Sequence, residues 1–556
     1  MSRHVLVPLS LTLLAGCASV PRESVARAPI EVQILGINDF HGNLEPAAVS
    51  VEVAASSGTI KASGGAAYLA SELAALRQGH ASITVAAGDL IGASPLASAY
   101  FLDEPTIEAL SLMGLSLASV GNHEFDKGGA ELLRMQSGGC EKHTSRTPCR
   151  IAPFAGARFQ YLGANVITRD GSSFFPATAI RTVGPIRIGF IGMTLKDTGT
   201  LVTPAGVAGL SFNDEAATAN ALVPQLKAAG ANTIVLLIHQ GGKLPPTYVT
   251  AGCAGLEGAI LPIIDQLDPA IATIVSGHTH NAYACEMERG GARRLLTSAG
   301  KNGYLVSDIR LQFDPASRAL LASRATNVPV AQGVADPAVA ALVARYVKAA
   351  APAAARVVGR LPGPAMRDVD DRESPVARLV ADAQLAATRA DGRGGAQISF
   401  INASGVRTNL IPAADGAVTF GQVFALQPFG NSLVVKTLSG AQLKALLEQQ
   451  FKTVDGRTRI GSLLVPSKGF RFNYDLSNDA GMRVSNLFLD GRPIVAARQY
   501  RVVVNNFLAS GGDGFSMLAR GTNAFDAGLD LDALEAWLAT NPGVPTDRRG
   551  AEIVLQ

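Results

Sequence analysis

No CxxC pair occurs anywhere in the chain, so a zinc finger or zinc ribbon is a poor reading of its five cysteines. No block of like charge occurs either. With 48 basic against 45 acidic residues the net charge is only +3, and the sequence carries no electrostatic footprint for DNA or RNA. No nucleic acid polymer is therefore expected as a partner, and no protein partner is evident. The apolar run at the N-terminus ends at Leu14, too short to cross a bilayer. Internal repeats and long low-complexity segments are absent as well.

What is present is globular in composition, with 47% hydrophobic and 17% charged residues. At 556 residues the chain exceeds one hydrophobic core, and two or more domains are expected. Arg3 and His4 precede the short apolar run, which ends in Leu14-Ala15-Gly16-Cys17. This is the layout of a secretory signal, and its end resembles a bacterial lipobox. Residues 1–16 are read as a signal peptide, Cys17 as the lipidated residue and 17–29 as a tether. Ala18 follows, where an Asp is associated with inner-membrane retention. An exported, periplasmic or outer-membrane lipoprotein is expected, touching the membrane through its N-terminal lipid. The remaining cysteines, Cys140, Cys149, Cys253 and Cys285, are even in number and suggest disulfides. Three connectivities exist. Cys140–Cys149 with Cys253–Cys285 closes the shortest loops and is the expected one.

Residues 30–330 alternate short apolar runs with helical stretches, the pattern of an α/β domain whose strands are buried on both faces. Residues 331–356 are Ala-rich and predict a linker helix broken by Pro352. Residues 357–556 form a second α/β domain, with strands in AQISFIN, LVVKTLS and YRVVVNNF and helices in SPVARLVADAQLAAT and GAQLKALLEQQF.

The first of the apolar runs, QILGINDFHGN, leads straight into Asp39 and His41. Taken alone, such a pair reads as a polar turn. It is not alone. SITVAAGD ends in Asp89, LSLASVGNHE in Asn122 and His123, NTIVLLIHQGG in His239, and IATIVSGHTH in His278 and His280. Ligands of parallel α/β sheets bind outside the carboxyl ends of the strands, so these ends converge on one site. Two metal ions about 3.5–4 Å apart need a shared ligand and several private ones. Asp39, His41, Asp89, Asn122, His239, His278 and His280 supply them, and the carboxylate of Asp89 can bridge. Mixed oxygen and nitrogen ligation suits Zn or Mn and excludes an all-oxygen calcium cage. Asp126 lies three residues beyond His123, within reach of its imidazole.

The ordered set NDFHG, GD, GNHEFD, IH and GHTH resembles the calcineurin-like metallophosphoesterases, and within them the 5'-nucleotidase family, over about residues 31–520. The resemblance implies a four-layer α/β/β/α metal domain followed by a substrate domain. It implies that Asp39, His41, Asp89 and His280 hold one ion, and that Asp89, Asn122, His239 and His278 hold the other. His280 stands where the nucleotidases carry Gln or Asn, though His is usual in the wider superfamily. The pair His123–Asp126 would stabilise charge on the phosphoryl group or leaving oxygen while an activated water attacks in line. In the second domain Arg372 and Arg407 would hold anionic groups, Phe429 and Phe507 would sandwich a base, and Asn402 and Asp513 would hydrogen-bond base or ribose. Ala403 and Ser404 of NASGVR replace glycines of the commoner NGGGIR and narrow the pocket. The implied function is release of phosphate from nucleoside 5'-monophosphates, with UDP-sugars or other nucleotides as further candidates. The alternatives are a 2',3'-cyclic nucleotide phosphodiesterase, an NAD pyrophosphatase, or an inactive nucleotide-binding lipoprotein.

Cys17→Ser is expected to abolish labelling by radioactive palmitate and to release a soluble form on membrane fractionation. Unchanged fractionation would point to another anchor or none.

Overall fold

In the computed structural model the described residues are 28–546 and 553–555, apart from 145, 204–205, 368–373 and 455–456. The expected signal peptide, Cys17 and Arg372 lie outside them.

Two six-stranded sheets build the N-terminal domain. The first runs Leu320–Pro329, Leu305–Phe313, Ile30–Ile37, Ser82–Ala87, Leu115–Ser119, Gln160–Leu162. The second runs Ala282–Arg289, Ala292–Ala299, Ile271–Ser276, Thr233–His239, Ile186–Thr194, Thr178–Val183. Their central strands are near-continuous apolar runs because both faces are covered. Val32, Ile34, Val85 and Leu117 of the first sheet meet Ile188, Phe190, Val235 and Leu237 of the second in one buried layer. The approach is close: a Cβ at Gly192 would stand 2.3 Å from Leu162 Cβ. Helices Ala66–Arg77, Glu104–Leu112, Gly129–Ser137 and Pro337–Ala354 cover the outer face of the first sheet. Glu215–Ala228 and Ile260–Gln266 cover that of the second. The result is four layers, α/β/β/α.

The helix Pro337–Ala354 begins at an Asp336 cap, whose carboxylate accepts from Ala338 N and Val339 N, with Pro at the first helical position. It was expected to break at Pro352, yet continues past it. A proline in the last turn removes one hydrogen bond and leaves the preceding turns intact. This helix is no free linker. Tyr346 packs edge-on against Phe101 at 5.0 Å, and Arg345 pairs with Glu108 at 3.1 Å.

The second domain centres on a five-stranded sheet, Leu464–Pro466, Ile398–Asn402, Gln499–Asn505, Ser432–Ser439, Thr522–Leu529. Helices Pro375–Thr388 and Asp530–Thr540 bury Val376, Val380, Leu534 and Leu538 with Ile401 and Phe424. Leu443, Leu446 and Leu447 of the helix Gly440–Glu448 join Phe400, Phe470 and Phe472 in a separate core.

Cys140 and Cys149 form a disulfide. Cys253 and Cys285 do not, contrary to expectation; both are free thiols. Gly252, next to Cys253, and Ala284, next to Cys285, meet in an isolated antiparallel bridge, so the two segments are neighbours without being joined. The Cys285 thiol instead donates to Gly252 O at 3.7 Å, and burial, with Cys253 beside it, pushes its pKa up. Alkylation of the denatured, unreduced protein is expected to mark Cys253 and Cys285 and leave Cys140 linked to Cys149, as read by peptide mass mapping. A Cys253–Cys285 cross-link would restore the expected second disulfide.

Candidate metal centre

Ile30–Ile37, Ser82–Ala87 and Leu115–Ser119 run parallel in the first sheet, and Thr233–His239 and Ile271–Ser276 run parallel in the second. Their carboxyl ends therefore open on one edge of the domain. The chain turns sharply there. Asp39, His41, Asp89, His278 and His280 all have left-handed backbones, with φ of 48°, 47°, 49°, 72° and 60°. Such conformations cost about 1–2 kcal/mol per non-glycine residue and cluster at functional sites. Hydrogen bonds between loops hold them: Asp39 N donates to Gly88 O and His41 N to Asp89 O, both at 3.0 Å.

The turns gather two groups of ligand atoms, Asp39 with His41 and His280, and Asp89 with His239 and His278. His41 Nε2 faces His280 Nε2 at 3.2 Å, while His41 Nδ1 is directed at Gly92 O at 2.9 Å. His239 Nδ1 lies 2.7 Å from Ala87 O. Its Nε2 stands 3.0 Å from Asp89 Oδ2 but has no hydrogen-bond partner among the described residues. Asp89 Oδ2 is also 3.7 Å from His41 Nε2, so this carboxylate lies between the two groups. Asn122 Oδ1 is 3.1 Å from His278 Nδ1.

Burial pushes His41 down to about 3 and His278 down to about 4, which leaves both imidazoles neutral and able to ligate. Burial opposes charge on His239 too, but the carboxylates of Asp89 and Asp39 outweigh it and raise its pKa to about 10. A divalent cation would neutralise the same carboxylates and take that proton's place. Facing imidazole nitrogens, a buried His239 Nε2 directed at Asp89 and two buried carboxylates are a donor set that fits two such ions.

His123 belongs to neither group, although its ring stands edge-on to that of His41 at 5.2 Å between centroids. Its Nδ1 is 2.7 Å from Asp126 Oδ2, and its backbone N donates to Asp89 Oδ1 at 2.9 Å. Burial opposes its charge; Asp126 and Asp89 overcome this and raise its pKa.

Two supporting residues escaped the reading of the sequence, although both sit inside the motifs. Glu124, in GNHEFD, accepts from Asp89 N, Leu90 N and Gly121 N at 2.9, 2.8 and 2.6 Å, and so ties two ligand loops together. Burial and the nearby Asp89 raise its pKa to about 7. Asn38, which reads as a turn former, donates to Asp39 Oδ2 at 2.7 Å and accepts from Ala299 N at 2.7 Å.

The second domain closes over this edge. Asn402, Arg407, Phe429, Phe507 and Asp513 line one cavity of ≈ 210 Å³ with Asp89, Asn122, His123, Asp126, His278 and His280. The Phe429 ring stacks on His123 at 6.1 Å between centroids, 15° from parallel. The Arg407 guanidinium lies over the Phe429 ring, 5.5 Å from its centroid. Gly512 lets Phe507 lie against the backbone, since a Cβ there would fall 2.4 Å from the ring.

Residues 32–282 match the family model described as calcineurin-like phosphoesterase, and residues 354–520 match that described as 5'-nucleotidase, C-terminal domain. The chain belongs to the 5'-nucleotidase family of calcineurin-like phosphoesterases. Among members of known structure, the 5'-nucleotidase precursor from Thermus thermophilus superposes with a TM-score of 0.73 at 27% identity, over 95% of this chain and 99% of that one. Endonuclease YhcR of Bacillus subtilis is 28% identical over 502 residues, which are 88% of this chain but 38% of that protein. Cell wall protein Lmo0130 of Listeria monocytogenes is 28% identical over 550 residues, 92% of this chain and 68% of that protein. The chain thus spans well under half of YhcR and about two thirds of Lmo0130.

Gly121 tests the construction. A Cβ there would stand 2.2 Å from Asp89 Oδ1, so Gly121→Ala must displace the carboxylate or the GNHE turn. The variant is expected to lose bound divalent metal by elemental analysis and about 1–3 kcal/mol of stability in thermal unfolding. Normal metal content would refute the tight fit.

Proposed function

We propose that the protein is an exported, metal-dependent phosphohydrolase that releases phosphate from nucleoside 5'-monophosphates. One observation carries this reading: candidate metal ligands of the first domain and aromatic, amide and guanidinium groups of the second line the same cavity. A phosphate and a flat, hydrogen-bonding group attached to it match those two walls. The description of the Thermus protein as a 5'-nucleotidase precursor supports the substrate class, and that of Lmo0130 as a cell wall protein supports export.

In this reading Asp39, His41, Asp89 and His280 hold one ion, and Asp89, Asn122, His239 and His278 the other, with Zn or Mn suited to the donors. When bound, two such ions neutralise phosphoryl oxygens and activate a water. The chain's own residues do the rest. His123, oriented by Asp126, carries its positive charge or proton to the phosphoryl or leaving oxygen. Arg407 attracts the anion. Phe429 and Phe507 stack against the base. Asn402 and Asp513 offer hydrogen bonds to base or sugar.

Phosphate release from a panel of nucleoside 5'-monophosphates, UDP-sugars, NAD and 2',3'-cyclic nucleotides is the test. Monophosphates are expected to lead the panel. Chelation is expected to abolish the activity, and Zn²⁺ or Mn²⁺ to restore it. His123→Ala is expected to lower kcat by roughly 10²–10⁴ while metal content stays near normal. Full activity after exhaustive chelation would end the two-metal reading, and loss of a metal from His123→Ala would make that residue a ligand.

A further inference from the structure

The turn that carries Phe429 is tied to a buried carboxyl that takes no part in the chemistry proposed above. Gln427 ends the helix Phe420–Leu426, Ser432 opens the strand Ser432–Ser439, and Phe429 stands between them. Asp530, first residue of the helix Asp530–Thr540, meets this turn at both ends. Its backbone N donates to Asn431 O at 2.9 Å, and Gln427 Nε2 donates to its Oδ2 at 3.4 Å. Arg407 N donates to Leu426 O at 3.0 Å, so the loop of Arg407 leans on the same segment.

Gln427 and Asp530 are both 1% exposed. Each keeps one oxygen without a partner among the described residues, Gln427 Oε1 and Asp530 Oδ1. Folded chains avoid unpaired buried acceptors, and here two sit on side chains already in contact. One proton removes both faults. A carboxylic acid and a primary amide are complementary: the acid's carbonyl oxygen accepts from the amide N–H, and its hydroxyl donates to the amide oxygen. The bond from Gln427 Nε2 to Asp530 Oδ2 is the first half of such a pair. A proton on Oδ1 supplies the second, with Gln427 Oε1 as acceptor.

An ionised Asp530 has no cation to meet, for it makes no ion pair among the described residues. Arg378 and Asp382 on Pro375–Thr388, Arg360 on Val357–Arg360 and Asp526 on Thr522–Leu529 are the charged residues of the elements packed against its helix. The charged group that bears on the carboxyl is Asp532, of like sign. Burial pushes the pKa of Asp530 up to about 8; Asp532 adds to the rise, while the Leu531 N–H and the Asn431 side chain oppose it.

We propose that Asp530 is a positioning residue: it keeps its proton, pairs with the Gln427 amide, and so locks the turn that holds Phe429 over His123. The pair is intact below about 8 and is lost as pH rises through that value, when a carboxylate oxygen comes to face the amide oxygen. Phe429 then loses its support and the base its stacking partner. The effect on substrate rests on the nucleotide reading above; the acid–amide pair does not.

The experiment measures KM for a nucleoside 5'-monophosphate, divided by KM for p-nitrophenyl phosphate, below and above the Asp530 transition in wild type, Asp530→Asn and Asp530→Ala. The division removes changes that belong to His123 or to the metals. In wild type the ratio is expected to rise about threefold to tenfold with pH, through KM rather than kcat. Asp530→Asn still offers Gln427 one donor and one acceptor and cannot ionise, so its ratio should stay low and flat. Asp530→Ala should be high and flat. Infrared difference spectra of wild type against Asp530→Asn should show a carboxylic-acid C=O band that disappears above the transition. A flat ratio in wild type, a rise that persists in Asp530→Asn, or no acid band overturns the inference and leaves the nucleotide reading standing. The acid band in a protein that hydrolyses the aryl phosphate but no nucleotide upholds the pair and overturns the nucleotide reading.

Discussion

Asp39 and Asp89 are carried out of water entirely, at 0% and 1% exposure, and the architecture around them is organised by that burial. An isolated buried carboxylate is several kcal/mol unfavourable, so each must find positive charge or donors within a few ångströms. Asp39 finds Asn38 and the backbone N of His278; Asp89 finds the backbone N of His123 and the ring of His239. The carboxylates come from one sheet, and His239, His278 and His280 follow strands of the other. The first sheet supplies Asn38 and the backbone N of His123, and the second supplies the rest. Face-to-face packing of the two is therefore a condition of the site, and the glycine contacts that let them approach are part of it.

The candidate metal ligands and the aromatic and amide wall of the cavity stand on different domains, and one ring joins them. Phe429 reaches across to stack on His123, so a residue proposed to grip the base lies directly over one proposed to meet the leaving oxygen. The first domain alone offers the candidate metal ligands without the aromatic wall, and the second alone offers aromatic and amide groups without the ligands.

Much of this was legible in the residues. The five strand ends could be found because apolar runs that stop abruptly at Asp, Asn or His carry both strand and ligand signals in a few residues. The long helix at 337–354 was legible from its alanines, though Pro352, in its final turn, does not end it. Pairing between segments was not legible. The bridge between Gly252 and Ala284 brings Cys253 and Cys285 into neighbouring segments, yet both remain free thiols, a difference that loop length in the sequence does not encode. Glu124 and Asn38 were hidden for a related reason: their partners are backbone N–H groups and side chains fixed only by the folded loops. Ser404 was visible as a departure, but its attachment to Asp513 spans 109 residues, which no local pattern encodes.

The left-handed backbones at Asp39, His41, Asp89, His278 and His280 have a consequence for substitution. At such φ values glycine is unstrained and asparagine is among the better tolerated residues. Replacing these five by either would relax the main chain and, at the two aspartates, remove a buried charge. At these positions the backbone alone favours glycine or asparagine, while metal ligation would favour the aspartates and histidines, so the candidate centre and the ease of its own turns pull in opposite directions.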